Sequence, residues 1–398
     1  MLSLEEARDR LLAGIRLTDP ERLTLHQAAG RVPAASSVTA AHDVPGFDNS
    51  AMDGYAVRAA DCPGRLRVLG ESRAGAGTSP EVESGTAIRI MTGAPMPAGA
   101  DAVVPVEAAE EVDGVVHVAA APEVGAHVRV AGHDVAAGTL VELPAEPMTA
   151  ATIGLLAALG VGEVEVRRRP RVAILSTGDE LVPPGGRLEP GQIHDANGVA
   201  LAAAVAEAGG EVEMLGCAAD RPDAIEASLR QGADAADLIV ASGGVSVGRH
   251  DHVRGAIERL GSIDFWRIAV QPGKPLAAGR IEDVPVVGLP GNPVSALVTF
   301  ELLVRLMLRS MLGLAGDGRL HVRARVDERI GKDPGRRAFL RVRLRPDGEG
   351  YCAESAGGQA SSQLLPLATS NALLVVPEGL EATEPGASYE AIVTGQPS

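Results

Sequence analysis

Residues 169–313 of this 398-residue chain constrain the fold most, because continuous apolar runs alternate there with segments of helical period. RVAIL (171–175), DLIVAS (237–242) and PVVGL (285–289) lack a polar face, so they read as strands buried on both sides, with EVEMLGC (211–217) a further strand. Between and after them, NGVALAAAVAEAG (197–209), AIEASLRQGA (224–233), VRGAIERLG (253–261) and VSALVTFELLVRLML (294–308) repeat apolar residues at helical spacing. Strands and helices in alternation predict a doubly wound α/β domain built on a parallel sheet.

The rest of the chain has a different texture. Short Val-rich segments separated by Gly and Pro, among them YAVRA (55–59), TAIRIM (86–91) and GVVHVA (114–119), predict an all-β unit over 51–130. HVRARVDERI (321–330), AFLRVRLRP (338–346) and NALLVVPEG (371–379) predict a second β unit, a small barrel or sandwich, over 314–398. The expected fold class is therefore α/β plus β: a doubly wound domain (169–313) flanked by β-rich domains. Residues 1–50 with 131–168 form a fourth, discontinuous domain, and roughly 150 residues per domain makes several expected. Ser3 and Glu6 form a capping-box pattern ahead of an amphipathic helix, and TAATIGLLAALG (149–160) reads as a helix stopped near Gly160.

A net charge of −16 argues against nucleic acid and anionic membranes as partners, since both require a basic footprint. An anionic substrate would have to be attracted locally. No stretch approaches the ~18 apolar residues of a membrane span. The first residues do not read as a leader, and three widely spaced cysteines, Cys62, Cys217 and Cys352, read as free thiols. A cytoplasmic location is expected.

Ligands of open parallel sheets bind beyond the carboxyl ends of the strands. After RVAIL, STGDELVPPG (176–185) puts Asp179 and Glu180 where the chain leaves the sheet, with Gly178 at a sharp turn. GQIHDANG (191–198) supplies Gln192, Asp195 and Asn197 before a helix, and helix capping accounts for them equally well. After DLIVAS, Gly243 and Gly244 open a loop whose N–H groups could approach an anion, though it lacks the Lys-Ser/Thr of a Walker motif. Asp251 beyond it could hold Mg²⁺ or accept a hydrogen bond. After PVVGL, Asn292 suits a cap, Pro293 the first helical turn and Ser295 that same turn, which a well-capped structural helix also explains. Lys274, between Gly273 and Pro275, falls in the same half of the domain. FDNSAMDGYAV (47–57) and IMTGAPMPAGADAVV (90–104) are, on chemistry alone, two elaborate turns carrying Asp53 and Thr92. No Ser–His–Asp or Cys–His set is readable, and His194, His250 and His252 read as polar loop residues. The chemistry indicated is oxyanion and phosphate handling with carboxylates and a hard cation.

Taken in order, FDNSAMDGYAV, IMTGAPMPAGADAVV, STGDEL, GQIHDANG, SGGVSVG, PGKP and GLPGNPVS resemble the molybdopterin molybdenumtransferases, MoeA in bacteria and the E domain of gephyrin in animals. The resemblance spans nearly the whole chain. It implies an elongated homodimer of four-domain subunits, with a molybdopterin-binding third domain related to the adenylyltransferase of the preceding step. It implies that adenylated molybdopterin and molybdate, with Mg²⁺, yield the metal-loaded dithiolene and AMP. Catalytic roles are implied for Asp53, Thr92, Glu180 and Asp251, with Mg²⁺ on Glu180 and Asp251. Substrate contacts are implied for Ser176, Thr177, Gly178, Asp195, Asn197, Gly243, Gly244, Ser246, Gly248, Lys274, Pro275, Asn292 and Ser295, and for Arg336 with Ser361 or Ser362. The adenylyltransferase and apo-molybdoenzymes would be further partners. Gln271 stands where many members carry lysine, and His194 where tyrosine is common. The rival readings are the adenylyltransferase itself and a non-enzymatic, gephyrin-like scaffold.

Overall fold

The computed structural model describes residues 1–75, 79–244, 252–348 and 350–397. They form two compact units, one of 1–20 with 167–398 and one of 21–166.

In the first unit, β1 (Arg171–Thr177), β2 (Glu211–Ala218), β3 (Leu238–Ser242), β4 (Gly261–Trp266), β5 (Ala277–Ile281) and β6 (Val284–Leu289) form one sheet in the order β2-β1-β3-β6-β5-β4. Alternation along β1 shows why both faces must be covered. Val172 and Ile174 enter one core with Leu201 and Val205 of helix α2 (Ala196–Glu207). Ala173 and Leu175 enter the other, with Ile225 and Leu229 of α3 (Pro222–Ala235) and Val253 and Ile257 of α4 (His252–Leu260). Each fully buried Leu, Ile or Val side chain contributes roughly 1.5–3 kcal/mol, so the two faces together dominate this unit's stability.

The sheet is mixed, which corrects the expectation of a parallel one. β2, β1, β3 and β6 are parallel, whereas β5 pairs antiparallel with both β6 and β4. The sequence hid these two strands because glycines interrupt them. A Cβ on Gly261 would stand 1.9 Å from the Arg280 carbonyl oxygen, and one on Gly279 2.0 Å from that of Ser262. The backbones cross where side chains cannot fit, so no apolar pattern marks the pairing.

Helix α1 (Leu4–Leu12) starts on the expected capping box and buries Leu4, Ala7 and Leu11 in the core that holds Val172 and Ile174. The opening helix thus packs with the α/β sheet. The helical stretch after β6 is broken: α5 (Pro293–Thr299) passes through a π turn at Phe300–Val304 into α6 (Arg305–Met311). Buried Thr299 donates its hydroxyl to the Ser295 and Ala296 carbonyls, 2.7 and 3.1 Å away, within that transition.

Beyond it, β7 (Leu320–Val326), β8 (Arg337–Asp347), β9 (Gly350–Ser355), β10 (Ala372–Val376) and β11 (Ala387–Val393) close into a barrel, because β8 pairs with β9 on one side and β10 on the other. Closure leaves no open edge among these strands. Barrel and sheet share core residues: Phe339, Leu373 and Ile392 join the cluster of Ile174 and Val287.

In the second unit, Gly54–Val57, Gly64–Ser72, Thr86–Ile90, Ala102–Pro105, Ala109–Val112 and Val115–Val118 build a six-stranded sheet, so YAVRA, TAIRIM and GVVHVA fall on strands. Ala28, Leu143, Met148, Leu156, Val164 and Val166 form a separate core, joining the start of this unit to its end. Helix Ala150–Ala158 stops before Gly160, whose φ of +76° ends it. Among the described residues no helix is long and apolar enough to cross a membrane.

Candidate functional site

The strand order doubles back at β1: the chain goes from β1 to β2 on one side and returns to β3 on the other. Two loops therefore leave the sheet in opposite directions from the carboxyl ends of β1 and β3, and a crevice opens between them. A cleft of about 290 Å³ lies there. Six of the expected residues line it: Thr177, Glu180, Asp195, Asn197, Gly243 and Gly244.

Hydrogen bonds fix the floor. Asp195, 6% exposed, caps α2 by accepting from the Gly198 N–H at 2.8 Å, and its second oxygen accepts from the Cys217 thiol at 3.5 Å. Burial and the Asp195 carboxylate push the Cys217 thiol up to about 11, which keeps it protonated as the donor. Asn197 gives one amide hydrogen to Ser242 Oγ at 2.8 Å and the other to the Gly291 carbonyl at 2.7 Å. Three loops, after β1, β3 and β6, are thereby tied by one side chain. Gly243 and Gly244 take φ of +90° and +64°, conformations that exclude most side chains.

Other expected residues stand apart. Ser176 is buried and outside the cleft lining, its hydroxyl without a hydrogen-bond partner among the described residues, and Gly178 (φ +149°) lies under the Glu180 carboxylate. Lys274, Pro275, Asn292, Ser295, Arg336 and Ser361 do not line the cleft. Lys274 is exposed, and Arg336 pairs with Asp333. Asn292 occupies the cap position of α5, but its side chain does not cap; it donates to Ser361 Oγ at 2.9 Å. Ser246, Gly248 and Asp251 lie outside the described residues. Gln271, the departure from lysine, accepts from the Asp333 N–H at 2.8 Å while its strand pairs with β8, so here it ties the PGKP turn to the barrel.

The charge of the cleft also differs from expectation. Its lining carries Glu180, Asp195 and Asp220 and no lysine or arginine among the described residues. Among the described residues, none lining this crevice supplies the attraction for anions sought in Lys274.

In the second unit, the two elaborate turns prove to be one structure. Asp53 accepts from the Thr92 N–H at 2.7 Å and from its hydroxyl at 2.8 Å. These two bonds, the backbone one first, hold the Asp53 carboxyl below its usual range. Phe47, Met52 and Met91 are exposed in the same two segments.

Sequence reasoning passed over Arg341. It is 1% exposed and donates to the Gly358 and Ala360 carbonyls, 3.1 and 3.2 Å away, under the loop that carries Ser361. Burial pulls its pKa down to about 10. Ser361 in turn accepts from the Val294 N–H, so Arg341 holds the barrel loop against the start of α5. Nothing in the sequence distinguishes it, because its strand reads RAFLRVRLRPD and carries arginine at three further positions in the same alternation. Arg341→Met is expected to remove two hydrogen bonds to carbonyls of exposed residues, at about 0.5–1.5 kcal/mol each, partly offset by removing a desolvated charge. Thermal melts should show a net loss of about 1–2 kcal/mol, and hydrogen exchange should rise at 357–363. An unchanged melt would show that those bonds carry no weight.

A helix-covered sheet with its cleft at a strand-order switch places 169–313 among the doubly wound small-molecule-binding domains. Comparison with known proteins narrows this. Residues 2–160 match the MoeA N-terminal region (domain I and II), 173–310 a probable molybdopterin binding domain, and 323–393 the MoeA C-terminal region (domain IV). Molybdopterin molybdenumtransferase 2 of Mycobacterium tuberculosis is 40% identical over 403 residues, covering 98% of this chain and 99% of its own. Molybdopterin molybdenumtransferase of Haemophilus influenzae is 41% identical over 317 residues, 79% of this chain and 78% of its own. The crystal structure of a molybdopterin biosynthesis MoeA protein from Pyrococcus horikoshii superposes with a TM-score of 0.85 at 34% identity, covering all of both chains. The chain belongs to the MoeA family of molybdopterin molybdenumtransferases.

Proposed function

We propose that this protein inserts molybdate into adenylated molybdopterin and releases AMP, in the synthesis of the molybdenum cofactor. The observation that carries this reading is the assembly, at one strand-order switch, of Thr177, Glu180, Asp195, Asn197 and the Gly243–Gly244 turn, drawn from separate motifs. Asn197 and Asp195 hold the loops at fixed separation, so the site is preorganised and its contribution is positioning. The Gly243–Gly244 turn lets a substrate approach the backbone closely. A homodimer is part of the reading. Exposed Phe47, Met52 and Met91 beside the Asp53–Thr92 pair are what a face covered by a second subunit would present. Three free cysteines suit a reducing cytoplasm.

The described residues alone do not make a magnesium site. Among the described residues no group of three or more His, Cys, Asp or Glu could hold a metal ion, and both Asp195 oxygens already have partners. Of the carboxylates expected to bind Mg²⁺, Glu180 stands in the cleft and Asp251 lies outside the described residues. No step is routed through the ion.

The test is direct. Purified protein given adenylated molybdopterin, Mg²⁺ and molybdate should release AMP and activate an apo-molybdoenzyme, and Asp53→Ala and Glu180→Ala should each slow AMP release at least about 100-fold. Normal AMP release by both variants would remove these residues from the mechanism.

A further inference from the structure

We infer that the cleft at the β1/β3 switch seats the substrate's heterocycle, and that Glu180 receives the paired N–H donors of a 2-amino-4-oxo pterin ring instead of a metal ion. This deepens the proposed function and rests on it.

The shape favours a flat ring. Leu181, Ile193, Ala196 and Pro293 form apolar walls to a cleft of about 290 Å³. Ile193 is 55% exposed although the short Leu181–Val182 and Ile193–His194 pairing fixes its backbone, so it offers apolar surface that this chain leaves uncovered. A few polar groups at the end of an apolar slot orient a heterocycle.

The hydrogen-bonding character selects its edge. The charged groups of the described lining are carboxylates, which accept hydrogen bonds and so favour ligand donors. Asp195 has both oxygens engaged, whereas the Glu180 carboxylate makes no hydrogen bond or ion pair with any described residue. Its oxygens lie where a Cβ on Gly178 would come within 2.7–2.8 Å, so glycine there lets the carboxylate fold against the backbone. A placed, unengaged carboxylate matches two parallel N–H groups, as in carboxylate–guanidinium pairs. Asn197 adds to the same polarity. The Gly291 carbonyl, which only accepts, fixes the Asn197 NH₂ on that side, and both its hydrogens are used, so its oxygen alone remains to meet a ligand. The anionic part of the substrate then lies away from Glu180.

The test uses the full chain and two bicyclic probes, pterin and lumazine, the latter carrying oxygen in place of the 2-amino group. Fluorescence titration should give pterin an affinity about 10-fold or more above lumazine, equivalent to about 1.4 kcal/mol. Glu180→Gln should bring the ratio to one or below, because an amide there can accept from N3–H and donate to the 2-oxo group of lumazine, while leaving the melting temperature unchanged. A ratio near one in the unmodified protein overturns the inference, as does a ratio that Glu180→Gln preserves. It is also overturned if AMP displaces pterin and shows the same dependence on Glu180, since the slot would then belong to the nucleobase. The two readings fail separately. A protein that releases AMP on molybdate addition without discriminating the probes loses only the ring assignment, and one that discriminates but never releases AMP loses only the reaction.

Discussion

Alanine at Gly243 is expected to destabilise the protein by about 2–4 kcal/mol and to reduce AMP release at least about 100-fold. The residue has φ of +90°, where an L side chain costs roughly 1–2 kcal/mol. Its Cβ would also meet the Thr177 carbonyl oxygen at 2.6 Å and Thr177 Oγ1 at 2.8 Å. Thr177 cannot retreat, because it is 5% exposed at the end of β1, a strand paired on both sides. Relief has to come from moving the Gly243 turn, which lines the cleft. Gly185→Ala is the control: φ there is +88°, and a Cβ would meet nothing within 4 Å. That variant should lose only about 1 kcal/mol, the backbone strain alone. Melting curves of the two, with AMP release for each, separate strain from collision. Equal melts would mean that the close approach to Thr177 does not limit the fold.

The sequence made the central sheet legible wherever burial wrote an apolar run, as in RVAIL and DLIVAS, because a strand covered on both faces has no alternative pattern to display. It concealed β4 and β5, where glycines at the crossing points replace apolar residues. It could not show that α1 packs against the α/β sheet, since an amphipathic face reveals that it is buried and not against what. The cleft residues at the ends of β1 and β3 were legible from the rule that ligands bind beyond strand ends. The charge of the cleft was not. Lys274 belongs to the PGKP motif and Arg336 is implied by the resemblance, yet one is exposed outside the cleft lining and the other is paired with Asp333. The Asp53–Thr92 pair joins residues in two turns far apart in sequence, a contact that no local spacing encodes. Asn292 looked like a cap because Asn-Pro starts helices well, and tertiary packing redirected its amide to Ser361.

Asn197 offers the sharper test of how the cleft is held, because its two variants should fail differently. Asn197→Ala removes both amide hydrogens and leaves the Gly291 carbonyl and the Ser242 hydroxyl without this partner, at a cost of about 2–3 kcal/mol. The loops after β3 and β6 then lose their common tether, and AMP release should fall about 100-fold. Asn197→Asp keeps the shape but inverts the polarity. A carboxylate oxygen would face the Gly291 carbonyl across the 2.7 Å that now holds a hydrogen bond, and two acceptors at that distance repel. At neutral pH this variant should therefore be slower than Asn197→Ala. Facing the carbonyl favours the protonated form of the new carboxyl, which raises its pKa in the folded state. As pH falls toward that value the group gains one O–H donor and recovers one bond, so its activity relative to Asn197→Ala should rise between about pH 7 and 5. The ratio of the two AMP-release rates across that range is the measurement, since effects of pH on the rest of the enzyme cancel in it. A flat ratio, or an Asn197→Asp protein as active as the unmodified one, would mean that the amide touches substrate without organising the loops.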